Sequence, residues 1–108
     1  MSHVTTHVLD AVSGTPAVGV PVSLQDAVGT LLARAVTNDD GRVADFGPDA
    51  LPAGRYRVVF DTAAYFAASG TATFYPSVTI DFELADPTAH YHVPLLLSPF
   101  GYSTYRGS

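Results

Sequence analysis

The sequence predicts an all-β sandwich with one short helical insert, in a single domain spanning residues 1–108. Three observations carry this. Ser77-Val78-Thr79-Ile80-Asp81-Phe82-Glu83-Leu84 alternates strictly, with Val78, Ile80, Phe82 and Leu84 on one face, the period of a half-buried strand. Short apolar segments are separated along the whole chain by Gly, Pro, Asn and Asp, the punctuation of many short strands. No internal repeat or linker interrupts a length that suits one hydrophobic core.

The elements follow in order. Val4–Asp10 reads as a strand with Val4, Thr6 and Val8 on one face and Thr5, His7 and Leu9 on the other. Strands are predicted next at Val20–Asp26 and Leu31–Val36, with a short one around Arg42–Asp45. Asn38-Asp39-Asp40-Gly41 between them is a turn, Gly41 being free to take positive φ. Arg55–Asp61 buries Tyr56, Val58 and Phe60, and Asp61 is placed to cap a helix running to about Ala68, with Gly70 suited to its end. After the alternating 77–84 segment come His90–Leu97 and Tyr102–Arg106. In the first of these Tyr91, Val93, Leu95 and Leu97 are core, and His90, His92, Pro94 and Leu96 take the opposite face.

Composition excludes several function classes. No apolar run approaches the ~20 residues of a membrane span, and the start Met1–Thr6 lacks the basic and apolar stretches of a signal peptide, so a cytoplasmic protein is the expectation. Cysteine is absent, which removes disulfides, thiolate metal sites and cysteine nucleophiles together. Five arginines and no lysine stand against 10 Asp+Glu, a net charge of −5, which disfavours a nucleic-acid partner. Only 14% of residues are charged, so part of an unusually apolar surface is expected to be covered by partner subunits.

The chemistry rests on four histidines, at positions 3, 7, 90 and 92. His7 and His92 fall on the non-core faces of two strands, and such a face, still partly apolar, implies another layer or subunit against it. His90-Tyr91-His92 is an H-x-H pair spaced to share a metal with His7, but no acidic neighbour at fixed spacing supports it, and no metal or cofactor is expected. His3, near the terminus, is assigned no role. Gly101-Tyr102-Ser103-Thr104-Tyr105 begins like a nucleophile elbow but has Tyr105 where the second glycine is required. Arg42 and Tyr105 taken alone are an ordinary surface residue and strand aromatic.

Together, however, the motifs resemble a known family. Thr5-Thr6-His7-Val8-Leu9-Asp10 followed by Gly14-x-Pro16-Ala17, the Asn38-Asp39-x-Gly41-Arg42 turn, the segment Ala85 to Pro99 around His90-Tyr91-His92-Val93-Pro94, and the ending Tyr105-Arg106-Gly107-Ser108 are similar to the 5-hydroxyisourate hydrolase branch of the transthyretin family. The resemblance runs nearly end to end. It implies a transthyretin-like sandwich of about eight strands in two sheets, assembled as a homotetramer, a dimer of dimers. It also implies a small-molecule substrate, 5-hydroxyisourate, whose cyclic amide is hydrolysed to 2-oxo-4-hydroxy-4-carboxy-5-ureidoimidazoline in urate degradation. His7, Arg42, His92 and Ser108 would be catalytic, and His7, Arg42 and Tyr105 would bind substrate.

On that basis His7 and His92 would activate water and move its proton to the leaving nitrogen. The Ser108 carboxylate would orient His92, and Arg42 would clamp the polar heterocycle. Three rivals are a transthyretin-like ligand carrier, a structural or adhesive sandwich module, and a metal-dependent hydrolase using His7, His90 and His92. The carrier would lack the Tyr-Arg-Gly-Ser ending, and the adhesive module would show linkers or disulfides.

Overall fold

The computed structural model describes residues 2–108; Met1, the first residue of the predicted domain, lies outside them. Among the described residues nine strands and one helix form two sheets packed face to face: β1 (Val4–Asp10), β2 (Thr15–Pro16), β3 (Pro21–Asp26), β4 (Leu31–Val36), β5 (Arg42–Val43), β6 (Gly54–Phe60), α1 (Thr62–Ala68), β7 (Val78–Leu84), β8 (Tyr91–Ser98) and β9 (Gly101–Thr104). One sheet runs β4-β3-β6-β7 and is antiparallel throughout. The other runs β2-β1-β8-β9, with β5 also pairing β1. The described chain has no helix long and apolar enough to cross a membrane.

The alternation read in the sequence sets the core. Val4 and Val8 of β1, Val22 and Leu24 of β3, Val58 and Phe60 of β6, Val78 and Leu84 of β7 and Leu95 and Leu97 of β8 are all essentially sealed from solvent. Each such side chain contributes roughly 1.5–3 kcal/mol on burial, and together they hold the two sheets in one arrangement. Thr6, the polar member of that face in β1, is buried and donates its hydroxyl to the Val93 carbonyl at 2.6 Å, so it costs no unpaired group.

The helix forms as its cap signal requires. The Asp61 carboxylate accepts the Ala64 N–H at 3.1 Å, Phe66 is buried against the sandwich, and Gly70 ends the turn at φ 65°. Tyr65 then donates its hydroxyl to Asp10 Oδ2 at 2.7 Å, tying α1 to the end of β1. Burial, followed by that carboxylate, raises the Tyr65 hydroxyl to about 12.

Three expectations are corrected. The strand expected over Arg42–Asp45 is only the pair Arg42–Val43, opposite His7 and Thr6; the ladder does not continue to Ala44 and Asp45. The strand expected over Tyr102–Arg106 is β9, Gly101–Thr104; Tyr105 and Arg106 leave the ladder, and the chain re-enters it only at a bridge between Gly107 and His92. His3 has a structural role: it is buried, with Nδ1 accepting the Leu51 N–H at 2.9 Å and Nε2 2.7 Å from the Ala89 carbonyl. That pattern fixes the proton on Nε2 and makes His3 a staple between the 48–51 loop and the start of β8.

Candidate active site

The site is assembled by one unusual pairing, the parallel ladder between β1 and β8, in which Thr5 lies beside His92 and His7 beside Pro94. Partners in a ladder project side chains to the same face, so the non-core face carries Thr5, His7, His92 and Pro94 together. On the other flank of β1, the antiparallel register sets His7 opposite Arg42, within the ~4.5–5.5 Å Cβ spacing of a cross-strand pair. Residues 85 positions apart in the chain thereby meet on one surface.

The turn before β5 aims Arg42. Asn38 Oδ1 accepts the N–H groups of Asp40 and Arg42 at 2.9 and 3.0 Å, and Gly41 N–H returns to the Asn38 carbonyl at 2.8 Å. Gly41 sits at φ 71°, and a Cβ there would also strike the Val8 carbonyl, so this position excludes any side chain. Arg42, His90, His92, Thr5 and Ser108 line a cleft of about 240 Å³. Among the described residues no three His, Asp, Glu or Cys side chains converge to hold a metal ion, so His7, His90 and His92 do not form the ligand set weighed above.

Both imidazoles are held below their ordinary value of 6.5. For His7 the cause is burial first, then the positive charge of Arg42, partly opposed by the backbone and carboxylate of Asp40. For His92 it is burial, then Arg42, His7 and His90. Two neutral imidazoles beside a guanidinium are suited to taking a proton from water while positive charge waits for a developing oxyanion.

The C-terminal tail closes over this face. Gly107 N–H donates to the His92 carbonyl at 2.9 Å, and the Arg106 guanidinium stacks 4.7 Å from the Tyr91 ring centroid. Gly107 lies so close to His92 that a Cβ would fall 2.5 Å from ring Cδ2. Ser108 lines the cleft, and His92 Nδ1 has the Thr5 hydroxyl as hydrogen-bond partner at 2.8 Å. Tyr105 is exposed and lines a neighbouring cavity of about 320 Å³ with Ile80, Phe82, Tyr91 and Arg106; His92 borders both spaces. The structure therefore sets Arg42, His92 and Ser108 along one cleft, His7 beside Arg42 on the same face, and Tyr105 along the adjoining cavity that His92 also lines. Thr5 and Gly107 are functional candidates that sequence reasoning missed; the pairing of Thr5 with His92 depends on a parallel ladder that periodicity does not reveal.

The HIUase/Transthyretin family model matches residues 4–107. The 5-hydroxyisourate hydrolase of Caulobacter vibrioides is 47% identical, with all of each chain covered. Among solved structures, 5-hydroxyisourate hydrolase of Klebsiella pneumoniae superposes with a TM-score of 0.89 at 48% identity, covering 97% of this chain and 98% of that one. Transthyretin of Sparus aurata superposes at 0.91 with 35% identity, covering 99% and 97%.

Proposed function

The chain belongs to the HIUase/transthyretin family, and from that premise we propose that it hydrolyses 5-hydroxyisourate at the cleft lined by Arg42, His92 and Ser108, with His7 beside Arg42 on the same face. The transthyretin fold is common to hydrolase and carrier, as the similar TM-scores to both relatives make plain, so fold alone does not choose between them. One observation carries the choice: the Tyr105–Ser108 tail folds back on His92 through the Gly107 bridge and brings Ser108 to a cleft lined by Arg42 and His92, with His7 opposite Arg42 on the same face and both His7 and His92 held below their ordinary value.

Hydrolysis of a cyclic amide requires an activated water, a stabilised tetrahedral oxyanion and a protonated leaving nitrogen. His7 and His92 share the proton work, water attacking the carbonyl while an imidazole nitrogen takes its proton and later returns one to the ring nitrogen. Arg42 presents a planar fork to the heterocycle and to the charge that builds on its oxygen. Ser108 contributes its carboxylate at the rim, and Tyr105 acts on the substrate from the adjoining cavity.

The working unit is a homotetramer, a dimer of dimers. This is supported by the unpaired edges of β7 and β9 and by large apolar side chains left in solvent, Phe74 and Phe100 at about 70% exposure. Sedimentation at micromolar concentration should give a species four times the 11.3 kDa chain mass.

The deciding experiment generates 5-hydroxyisourate in situ from urate with uricase and follows its ultraviolet absorbance. The parent protein should accelerate the decay and His7→Asn should not. Decay at the spontaneous rate with assembled parent protein would refute the hydrolase and move the reading to a ligand carrier.

A further inference from the structure

One hydroxyl on the outer face of β1 is shared by two imidazoles. Thr5 Oγ1 lies 2.8 Å from His92 Nδ1 and 2.9 Å from His90 Nε2. The geometry follows from register: Thr5 pairs with His92, and His90 precedes it by two residues in the extended chain, so the three side chains share a face.

A hydroxyl carries one proton, so Thr5 donates to one imidazole and accepts from the other. Only two neutral arrangements satisfy both bonds. In the first, His92 donates from Nδ1 to Thr5, and Thr5 donates to His90 Nε2; His92 Nε2 is then a bare lone pair. In the second, His90 donates from Nε2 to Thr5, Thr5 donates to His92 Nδ1, and the His92 proton stands on Nε2. The first form of His92 is a base toward the cleft, the second an acid.

We propose that Thr5 and His90 form with His92 a hydrogen-bond relay that sets the His92 tautomer and switches it between base and acid during turnover. The proposal rests on the hydrolase reading of the same cleft. Its protons balance. Water gives a proton to His92 Nε2; the Nδ1 proton passes to Thr5 Oγ1, and the Thr5 proton passes to His90 Nε2, leaving His92 neutral and His90 an imidazolium. When His92 Nε2 protonates the leaving nitrogen, the chain runs back: His90 returns a proton to Thr5, and Thr5 returns one to His92 Nδ1. The net change is water added across the amide bond.

The surroundings suit such a shuttle. Arg42 from β5 and His7 from β1 act on the His92 ring, and Arg106 and Tyr105 from the tail with Asp81 and Glu83 from β7 line the cavity on its other side. A cation at His92 is disfavoured there by burial and by Arg42, whereas His90 is exposed, beside a recess that Asp49 and His3 also line. The relay moves positive charge from the half-buried ring to the exposed one.

The test compares Thr5→Val, Thr5→Ser and His90→Ala with the parent in the uricase-coupled assay, alongside ¹⁵N NMR of the His92 imidazole. Thr5→Val keeps the branched shape and removes the hydroxyl; its kcat should fall about tenfold or more while KM stays within about twofold, since the base loses the partner that fixes its tautomer. Thr5→Ser should recover kcat to within about threefold of the parent, and added imidazole should restore part of the loss in His90→Ala. In ¹⁵N spectra the parent should show Nδ1 of His92 hydrogen-bonded, and Thr5→Val should show a tautomer mixture. A Thr5→Val protein with parental kcat and unchanged ¹⁵N shifts would overturn the relay. So would a Thr5→Ser as slow as Thr5→Val, or a His90→Ala loss indifferent to imidazole. If the parent itself fails to accelerate the decay, the hydrolase reading falls, while the His92 ¹⁵N shifts of parent and Thr5→Val still decide whether Thr5 sets the tautomer.

Discussion

Gly107→Ala tests the tail more sharply than any change in the histidines. The added Cβ would stand 2.5 Å from His92 Cδ2, 3.1 Å from Cγ and 3.2 Å from the His92 Cβ. Carbon atoms pack comfortably at about 3.5–4.0 Å, so the overlap with the ring is about 1 Å. Two reliefs are open. The ring can turn, which costs about 0.5–1.5 kcal/mol for a ~30° departure from its rotamer. Alternatively the tail can lift, giving up the Gly107 N–H bond to the His92 carbonyl, worth about 0.5–1.5 kcal/mol. Both are small against the stability of the whole sandwich, and lifting a terminal segment leaves the core intact; the melting temperature should drop by less than about 8 °C. Either relief displaces an imidazole or the chain end by about 1 Å, and misplacement on that scale can cost roughly 100-fold in rate. The assay is the uricase-coupled decay of 5-hydroxyisourate, with a thermal melt of the same sample. Gly101→Ala is the control, because its Cβ would meet only Ser98 Oγ at an ordinary 3.6 Å. A Gly107→Ala protein with kcat within about twofold of the control would refute the packing argument.

Other outcomes follow from the same geometry. Arg42→Gln removes a charge that lowers both His7 and His92, so the acid limb of kcat/KM should move to higher pH, and KM should rise if Arg42 also clamps substrate; an unmoved limb would show that Arg42 does not act on these rings. The same shift has a stability consequence. With folded values depressed below 6.5, the unfolded chain binds more protons, so the contribution of these histidines is fully present above about 6.5 and is lost as pH falls through the folded values. Arg42→Gln should lessen that acid loss in urea melts between pH 7 and 5. Ser108 lines the cleft, so a peptide fused after it should reduce turnover without lowering the melting temperature; full activity of the uncleaved fusion would reduce the tail to a strand end. His3→Ala strips partners from the buried Leu51 N–H and Ala89 carbonyl and should cost about 2–4 kcal/mol in chemical denaturation, with no change in the kcat of the folded fraction.

The fold was legible where burial enforces a period. In β1, β6, β7 and β8 the inward residues alternate with outward ones because a one-residue slip would turn every apolar side chain to solvent, and these strands stand within a residue of their expected ends. The helix was legible from Asp61 and Gly70, whose chemistry is local. Legibility failed where structure depends on a distant partner. His3 looks like a terminal residue in sequence, yet it is buried by contacts with Leu51 and Ala89, which no nearby residue announces. The end of β9 is equally non-local: Tyr105 and Arg106 would extend the strand by alternation, but Arg106 is held over the Tyr91 ring instead.

The candidate site divides along the same line. Alternation places His7 and His92 on non-core faces, since each strand reports which of its own residues face inward. It cannot report which strand lies alongside, and the geometry of the candidate site comes from neighbours: Thr5 against His92 by a parallel ladder, Arg42 against His7 by an antiparallel one, Gly107 against the His92 ring by a single bridge. The motif resemblance supplied Arg42 and Ser108 because it carries such pairings implicitly. It also suggested a carboxylate as the orienting partner of His92, by analogy with a triad; the hydrogen-bond partner on His92 Nδ1 is a threonine hydroxyl. A hydroxyl differs from a carboxylate in one respect that matters here. A carboxylate would favour the charged imidazolium and hold the proton on Nδ1, whereas a hydroxyl is both donor and acceptor and leaves the ring free to change tautomer. The role proposed for His92, a half-buried ring acting first as base and then as acid beside an arginine that opposes its protonation, is better served by the second kind of partner.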